Sequence, residues 1–373
     1  MKKKVLVLCT TDSMIWNFLV PHIRKLQENG YTVECACSRT GDYFSWLREK
    51  CGLVMHLISF ERNPFRKANI RAYFQLKRLI RTQGYGIIFC HEPVGGAMGR
   101  LAGSKADCRI IYMAHGFHFY KGCPKSSRLY YYVERYLARK TDCLITLNQE
   151  DYDASLQFRA KHKIKTNGIG IDLSKFRPED RASRLRQELN LDRDAFLVLS
   201  VGELIPRKNH ESIIRALTGG VPDRVHYIVA GDGELRERLE RLADESGLGS
   251  RVHFLGYRQD IQQLCNSCDV FALPSYQEGL SVALMEAMAC GKPVIASRIR
   301  GNTDLIDHEK GGILVDAGDV SGYAKAIGIL AEDEAVRRKY GEHNLEKVQE
   351  FSLEKVEEQL LSVFQMIGKE DEQ

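Results

Sequence analysis

Residues 275–293 have the sequence SYQEGLSVALMEAMACGKP, in which a polar loop leads into a helix and two glutamates flank the junction. A short apolar run before it predicts the end of a strand, and apolar residues recur at helical spacing over 282–289. The first turn of a helix has unpaired backbone N–H groups, which bind anions and hydroxyl groups. A carboxylate beside them, Glu278 in the loop or Glu286 in the helix, can accept several hydrogen bonds from a sugar. The alternative is that one glutamate caps the helix and the other lies on its solvated face.

Strand-like and helix-like segments alternate on both sides of this stretch. In the first half, strands are predicted at 4–10, 31–38, 54–58, 87–91, 109–114 and 143–148. After a polar segment at 175–194, strands are predicted at 196–201, 226–230, 252–255, 270–274, 294–296 and 313–315. Helical patterns lie between them, and this alternation is typical of parallel sheets with helices on both faces. The sequence therefore predicts an α/β protein with two doubly wound, Rossmann-like domains.

The length of 373 residues also favours two domains, because one hydrophobic core rarely serves so long a chain. The predicted N-terminal domain covers 1–170, and the predicted C-terminal domain covers 171–352. A helical segment at 353–373 is predicted to pack back on the first domain. Ligands of doubly wound folds bind at the carboxyl ends of the strands. If the two sheets face each other, these ends line a cleft between the domains, which is the expected site.

The charges are divided unevenly between the two halves of the chain. Residues 1–168 contain 28 lysines and arginines against 13 aspartates and glutamates, so their net charge is about +15 and the remainder is acidic. The apolar run near the N-terminus is too short for a signal peptide, and no later run reaches about 18 apolar residues. A cytoplasmic protein is expected. Its eleven cysteines are expected to be reduced, structural thiols.

The loops that follow the strands of the second half carry residues suited to a nucleotide. Gly202 follows the first of these strands, and the adjacent cations Arg207 and Lys208, which suit a diphosphate, come shortly after it. Residues of similar kinds follow the next two strands: Gly231, Gly233, Tyr257 and Arg258. Four consecutive strand ends, the last at 275–293, therefore favour a nucleotide diphosphate that lies across them. A solvated basic turn is the alternative for the two cations, and a lone Gly-x-Gly is a weak signal.

Taken in order, these motifs resemble those of one enzyme family. They are GELIPRK at 202–208, GDG at 231–233, GY at 256–257 and the two glutamates of 275–293. NGIGID at 167–172, with Phe176, is similar to the family's interdomain linker, and AHGFHFYKG at 114–122 is similar to its acceptor-side loop. The combination resembles the retaining glycosyltransferases of family 4, which have the glycosyltransferase B (GT-B) fold. The similarity is to members of bacterial capsule and exopolysaccharide biosynthesis, and it runs through nearly the whole chain.

The resemblance implies that the first domain binds the acceptor and the second binds a nucleotide-sugar donor. Arg207 and Lys208 would hold the donor pyrophosphate, and Glu286 would bind the ribose hydroxyls. Glu278 would bind the donor sugar together with backbone amides, those of Gly279, Leu280 and Ser281. The other expected donor contacts are Gly202, Gly231, Gly233, Tyr257 and Arg258. A UDP-sugar is the favoured donor. No cofactor and no metal are expected, because no Asp-x-Asp pair stands at a strand end and two cations can neutralise the pyrophosphate.

Histidines follow two strands of the first half. The resemblance places His115 at the reacting end of the donor, where it bonds a sugar hydroxyl or touches the acceptor, and His118 is its rival. A structural hydrogen-bonding role is the alternative for either ring. His91 and Glu92 either line the acceptor pocket or take part in the packing of the core or of a loop. The loop at 10–14, TTDSM, departs from the family's glycines, which leaves the donor sugar open.

A predicted helix at 67–81 combines positive charge with apolar residues. Its cations and those just before it are Arg62, Arg66, Lys67, Arg71, Lys77, Arg78 and Arg81. Its apolar stripe is formed by Ile70, Tyr73, Phe74, Leu76 and Leu79. Such a helix either lies on an anionic membrane surface or buries the stripe and solvates its charges. Tyrosines at 130–132 and 136, near Lys125 and Arg128, form a second candidate surface.

Together with the residues described above, the resemblance implies a retaining hexosyltransferase that acts on a lipid-pyrophosphate-linked saccharide in bacterial surface polysaccharide synthesis. The transferred sugar would be a hexose or an N-acetylhexosamine. The enzyme would be peripheral on the inner face of the cell membrane. The alternatives are a UDP-sugar epimerase of the same fold and a non-catalytic subunit that binds nucleotide sugars. Nucleic acid is not an expected partner, because no nucleic-acid-binding signature is present.

Overall fold

The computed structural model describes residues 3–179 and 182–369, and the side chains of all of these except 182 and 183. The chain divides into two compact units, Met1–Gly170 with Glu354–Gln373, and Ile171–Leu353. The extreme ends of the predicted domains, at 1–2 and 370–373, lie outside the described residues, as do positions 180–181 of the predicted polar segment.

The first unit contains a seven-stranded sheet in the order β3-β2-β1-β4-β5-β6-β7, and every neighbouring pair is parallel. Its strands are β1 (Lys4–Thr11), β2 (Thr32–Ser38), β3 (Val54–Leu57), β4 (Ile87–His91), β5 (Arg109–Ala114), β6 (Cys143–Thr146) and β7 (His162–Lys165). The central strand β1 is almost wholly buried and apolar, as expected where helices cover both faces of a parallel sheet. The chain reverses direction along the sheet after β3, so the loops after β1 and β4 are neighbours.

The helices of the first unit are α1 (Asp12–Met14), α2 (Val20–Glu28), α3 (Tyr43–Glu49), α4 (Ala68–Gln83), α5 (Pro93–Gly103), α6 (Arg128–Leu137) and α7 (Gln149–Ser155). A π-helical segment, Ile15–Leu19, joins α1 to α2. The C-terminal helix, Leu353–Lys369, also contributes to this unit, and Phe364 packs edge-on against Tyr31 and Phe89.

An ion pair in the interior joins α5 to α6. Arg100 is fully buried and its guanidinium donates to both carboxylate oxygens of Glu134, at 2.6 and 3.0 Å. The guanidinium also lies over the ring of Tyr112, 3.8 Å from its centroid. Because charge-assisted bidentate bonds are directional, this pair fixes which face of α6 is turned inward.

The second unit contains a six-stranded parallel sheet in the order β10-β9-β8-β11-β12-β13. Its strands are β8 (Phe196–Val201), β9 (Val225–Ala230), β10 (Val252–Gly256), β11 (Val270–Leu273), β12 (Val294–Ser297) and β13 (Gly312–Val315). Its helices are α8 (Ala182–Glu188), α9 (His210–Ala216), α10 (Arg236–Glu245), α11 (Ile261–Ser267), α12 (Val282–Ala289), α13 (Asn302–Leu305), α14 (Val320–Glu332) and α15 (Glu334–Lys347). Short 3₁₀ helices stand at Pro206–Lys208 and Val348–Phe351.

The predicted fold class, two parallel-sheet α/β domains, is confirmed, but four elements were not predicted. Strand β7 has the sequence HKIK and is only half-buried at the edge of its sheet, so it lacks the apolar run that marks the other strands. Helices α7 and α8 lie in polar stretches that predict loops. Helix α13 has four residues, too few for a periodic pattern.

The apolar stripe predicted for α4 is divided between two faces of the helix. The face that packs into the unit consists of Asn69, Ala72, Leu76 and Ile80. Ile70 and Phe74, which were predicted to share that stripe, are exposed. None of the helices in the described part of the chain is both long and apolar enough to cross a membrane.

Candidate active site

The two adjacent cations after β8 are held against the loop that precedes α12. The backbone N–H of Tyr276 donates to the carbonyl of Arg207 at 2.8 Å, and the side-chain amide of Asn209 donates to the carbonyl of Pro274 at 3.0 Å. Asn209 has a φ of 54°, a left-handed conformation that asparagine tolerates better than most residues. These bonds place the 3₁₀ turn Pro206–Lys208 beside Glu278, although 70 residues separate them in sequence.

Arg207, Lys208 and Glu278 form a compact cluster of charges. The ammonium of Lys208 lies 2.8 Å from Oε1 of Glu278, and Nη1 of Arg207 lies 3.3 Å from the same oxygen. Arg207 also donates to the carbonyl of Gln277 at 2.9 Å. Burial raises the pKa of Glu278, but the two cations outweigh burial and hold this pKa below its ordinary value. The cluster therefore keeps a net positive charge at neutral pH, as a diphosphate site needs.

The glycines after β8 and β9 let two loops pack against each other. A β-carbon on Gly231 would lie 1.9 Å from the carbonyl oxygen of Gly202, and one on Gly233 would lie within 3 Å of the backbone of Leu204. Hydrogen bonds from Gly202 to Ala230 and from Leu204 to Asp232 join the same loops. A β-carbon on Gly202 would also press on the side chain of Lys208, at 3.2 Å. The described contacts thus explain these glycines by the packing of the loops beside Lys208.

The junction of loop and helix at α12 is well ordered by local bonds. Ser281 caps the helix, because its hydroxyl accepts from the N–H of Leu284 at 3.4 Å. Arg300 donates to the carbonyl of Glu278 at 3.1 Å. Gly301 lies so close to this loop that a β-carbon there would be 2.1 Å from the carbonyl of Gly279. The backbone of 278–281, the predicted sugar-binding segment that includes Leu280, is therefore held from both sides.

Glu286 lies one turn into α12 and is half-buried. Burial raises its pKa to about 7, and Lys175 opposes this only in part. No hydrogen bond to its carboxylate is formed by any residue of 3–179 or 184–369. A carboxyl group that is half-protonated at neutral pH can both donate and accept a hydrogen bond, which suits a pair of hydroxyls.

The two predicted donor contacts after β10 have different surroundings. Tyr257 is 69% exposed. Arg258 donates to Asp260 and Glu188, and these bonds raise the pKa of its guanidinium. Within the described residues, none of the hydrogen bonds of Arg258 reaches Lys208 or Glu278. The structure thus brings Gly202, Arg207, Lys208 and Glu278 together and ties Arg258 to a separate acidic pair.

In the first unit, the ring of His115 follows β5 and contacts the ring of His91 at the end of β4. Nε2 of His115 lies 3.0 Å from Nδ1 of His91. A third ring, His22 on α2, bonds the carbonyl of Ile169 through Nε2 at 2.9 Å. Burial lowers the pKa of His115 and of His22 to about 4 and holds that of His91 well below its ordinary value, so all three are neutral at pH 7. His22 was not predicted, because it lies within a helix and does not follow a strand in the sequence.

His118, the predicted rival of His115, is exposed and its ring packs 4.8 Å from that of Tyr130. By contrast, His22 and His91 are buried and His115 is partly exposed. The surroundings of His118 are those of a surface loop.

Side chains order the loop 10–14, which lacks the glycines of the resembling family. The carboxylate of Glu92 accepts from the N–H groups of Thr10 and Thr11, at 2.7 and 3.3 Å. Asp12 is fully buried and accepts from the N–H groups of Thr40 and Phe44. Glu92 has a φ of 61°, a conformation that is uncommon for glutamate. Of the two possibilities for Glu92, the structure shows loop packing.

Metal-ligating residues are not clustered at these sites. Across 3–179 and 182–369, no group of three or more histidine, cysteine, aspartate or glutamate side chains is arranged to hold a metal ion.

Comparison with known proteins gives matches over both units. A model of the group 1 glycosyl transferases matches residues 182–347, and a glycosyl transferase 4-like model matches residues 4–148. A protein of Bacillus subtilis (strain 168), named as the glycosyltransferase EpsD, is 33% identical over 98% of this chain and 97% of its own. The Escherichia coli UDP-Gal:alpha-D-GlcNAc-diphosphoundecaprenol alpha-1,3-galactosyltransferase is 29% identical over 83% of each chain. The crystal structure of Anabaena HepE in complex with UDP covers 97% of this chain and 100% of its own, with a TM-score of 0.83 and 23% identity.

Proposed function

The chain belongs to the glycosyltransferases of the group 1 and 4-like type, with the GT-B fold, and from this premise we propose that it transfers a hexose or N-acetylhexosamine from a UDP-sugar to a lipid-linked saccharide, with retention at the anomeric carbon. The observation that carries the proposal is the cluster of Arg207, Lys208 and Glu278. Two named relatives support the choice of substrates: the Escherichia coli enzyme acts on a diphosphoundecaprenol-linked sugar, and Anabaena HepE was solved with UDP. The setting we propose is bacterial surface polysaccharide synthesis.

In the proposed donor complex, the diphosphate competes with Glu278 for the two cations. Lys208 and Arg207 share one carboxylate oxygen, whereas a diphosphate offers several anionic oxygens and two or more negative charges. When the phosphates take the cations, the carboxylate of Glu278 becomes free to accept hydrogen bonds from the donor sugar. Glu286 binds the ribose hydroxyls through its partly protonated carboxyl group. The donor phosphates and the sugar are thus recognised by the same cluster.

The transfer itself is proposed to need no nucleophile from the protein. As the sugar leaves UDP, negative charge develops on the departing phosphate, and the adjacent cations stabilise it without reorganisation. The departing phosphate oxygen takes the proton of the incoming hydroxyl on the same face of the sugar, which gives retention. In this proposal Lys208 and Arg207 neutralise the leaving group in place of a metal ion, so full activity is expected in excess EDTA.

A membrane-bound acceptor is supported by the outer surface of the first unit. On α4, the exposed side chains of Ile70 and Phe74 lie among exposed cations. On α6, Leu129, Tyr132, Val133 and Tyr136 recur at helical spacing and are all exposed, whereas Glu134 faces inward. Both helices pack on α5 and lie in one layer. A surface helix in water usually turns its charged residues outward and its apolar residues inward. Helix α6 has an apolar outer face and a buried ion pair, and such a face suits contact with a lipid surface.

The experiment that tests this function offers the purified protein a panel of UDP-sugars, with and without a polyprenyl-diphosphate-linked saccharide. We expect UDP to be released only when both a UDP-sugar and the lipid-linked acceptor are present, with the anomeric configuration retained in the product. Conversion of one UDP-sugar into another without acceptor would instead show an epimerase. Binding of UDP-sugars without any turnover would contradict the proposed transfer.

A further inference from the structure

The bond between His91 and His115 restricts where each ring carries its proton. Both rings are neutral at pH 7, so one nitrogen of the pair must carry the proton and the other must accept it. Either Nδ1 of His91 donates to Nε2 of His115, or the reverse holds. Each ring has a second nitrogen outside this bond, Nε2 in His91 and Nδ1 in His115. In the first case Nδ1 of His115 is protonated and Nε2 of His91 is not, and in the second case the reverse holds.

The far nitrogen of His91 decides between these cases. Nε2 of His91 is buried and has no hydrogen-bond partner among the described residues. If it carried a proton, that N–H would be a buried donor without a partner, which is rarer in protein interiors than a buried acceptor without a partner. His22 donates from Nε2 to a carbonyl, so its Nδ1 is a bare acceptor, yet no hydrogen bond joins it to His91. His91 therefore carries its proton on Nδ1 and donates it to His115.

The consequence falls on His115. Its Nε2 accepts from His91, so its own proton lies on Nδ1. The ring is partly exposed, and none of the residues in the described part of the chain bonds that nitrogen. Nδ1–H is therefore available to an oxygen atom of a ligand, such as a hydroxyl, while the only basic nitrogen of the ring is occupied.

We propose that His91 is a positioning residue that holds His115 in the Nδ1–H tautomer, so that His115 meets its ligand as a hydrogen-bond donor and not as a general base. The contact of His115 with substrate rests on the proposed function. The tautomer does not rest on it. Partners of this kind fix both the proton and the orientation of the ring they contact.

Nitrogen NMR of histidine measures the tautomer directly. The protein is labelled with ¹⁵N-histidine, and long-range ¹H–¹⁵N correlations are recorded at pH 7.5, where protonated and bare ring nitrogens give separate shifts. His91→Asn and His115→Asn spectra assign the two rings. We expect Nδ1 of both rings to be protonated and both Nε2 atoms to be bare. A proton on Nε2 of His115 would overturn the proposal, whether or not any transfer activity is found.

Two variants of His91 separate positioning from packing. His91→Asn keeps an N–H donor near the position of Nδ1, whereas His91→Leu fills similar space without one. We expect kcat to fall about tenfold or more in the Leu variant and to be largely retained in the Asn variant, with the donor KM little changed in both. In the Leu variant, the NMR signals of His115 should show a mixture of tautomers. Equal loss of kcat in both variants, with His115 still in the Nδ1–H form, would show that His91 acts only through packing.

Discussion

At the scale of single residues, Glu278 is the centre of the candidate donor site. Its carboxylate contacts both cations that suit a diphosphate, and the pairing keeps its pKa low in spite of burial. An isolated carboxylate could not stay ionised in such a place, because desolvation would favour its neutral form. The charge on Glu278 therefore depends on Lys208 and Arg207, and the three residues should be altered as a set.

Replacement of Glu278 by glutamine should separate donor binding from transfer. Glu278→Gln keeps the shape of the side chain but removes the charge that neutralises Lys208 and Arg207. We expect the Kd of UDP, measured by calorimetry, to stay equal or fall, and transfer to drop by about a hundredfold or more. Lys208→Met is the counterpart, and it should weaken UDP binding. Transfer near the wild-type rate in Glu278→Gln would show that this carboxylate does not act on the sugar.

The raised pKa of Glu286 makes a prediction about stability. Between its ordinary pKa of 4.5 and the folded value of about 7, the folded state keeps a proton that the unfolded state has lost, so stability falls as the pH rises through this range. Glu286→Gln has no such cost. We expect equal melting temperatures at pH 4 and a more stable variant at pH 8, by up to about 3 kcal/mol in the free energy of unfolding.

Glu237→Gln provides the matched control for Glu286, because the Glu237 side chain lies on the surface of the same unit. Its melting series measures the effect of removing one surface carboxylate, so that the effect specific to position 286 can be separated from it. A constant difference between Glu286→Gln and the wild type from pH 4 to pH 8 would contradict the raised pKa.

The sequence could predict which residue types stand at the strand ends, but not how they pair. Arg207 and Lys208 were assigned to a diphosphate from their charge and position, and the ion pair with Glu278 joins loops that follow different strands. His22 could not be predicted, because nothing in a helical pattern shows that a ring will lie beside two others. The sequence left two roles possible for Glu92, lining the acceptor pocket and packing, because both place a carboxylate at the same strand end.

At the scale of elements, the loops after β8 and β9 pack directly against each other. Gly202, Gly231 and Gly233 allow backbone to approach backbone, and the hydrogen bonds between the loops close the contact. From the sequence, these three glycines were expected to contact the donor. The structure gives a second reason, which a single sequence cannot reveal, since a close approach between two loops leaves the same glycine pattern as an approach to a ligand.

Gly231→Ala should therefore disturb the position of Lys208 in the donor site, although the two residues lie in different loops. Its β-carbon would lie 1.9 Å from the carbonyl of Gly202, so the loops must separate and Lys208 must move with them. We expect a loss of about 1–3 kcal/mol in the free energy of unfolding and at least tenfold weaker UDP binding by calorimetry. Gly328→Ala in α14 is the control, because a β-carbon there meets nothing within 4 Å. It should be neutral or stabilise the protein by up to about 1 kcal/mol. Wild-type UDP affinity in Gly231→Ala would show that the loops do not position Lys208.

At the scale of the whole molecule, alternation of apolar strands with helices was enough to predict two parallel sheets. This signal is strong because central strands of such sheets are buried on both faces and consist of unbroken apolar runs. Edge strand β7 escapes the pattern because one half of it faces solvent. On α6, Tyr132 and Tyr136 of the second candidate surface are exposed. The sequence did not predict that Leu129 and Val133 extend this surface, because the buried pair of Arg100 and Glu134 turns a charged residue inward and an apolar stripe outward.

The layer of α4 and α6 predicts that the protein binds anionic membranes through its first unit. Three cations near the exposed apolar residues of α4 are themselves exposed: Arg66, Lys67 and Arg71. Near an anionic surface each contributes about 1 kcal/mol, so reversal of all three to glutamate should weaken binding to phosphatidylglycerol vesicles by about a hundredfold or more in co-sedimentation. Wild-type binding should fall at high salt and be weak on neutral phosphatidylcholine vesicles.

The matched control for this surface makes the same change in net charge on the second unit. Arg241, Arg338 and Lys339 are exposed there and are reversed to glutamate together. If that variant sediments with the vesicles like the wild type while the α4 variant is released, the position of the charges decides binding.

A third variant, with Tyr132, Val133 and Tyr136 of α6 changed to serine, keeps every cation, so loss of binding there shows that the apolar stripe enters the lipid. Equal release of the α4 and control variants would show that vesicle binding depends only on the net charge of the protein. If the α6 variant binds vesicles like the wild type but differs from it in oligomeric state, the apolar stripe of α6 contacts a second copy of the chain instead of lipid.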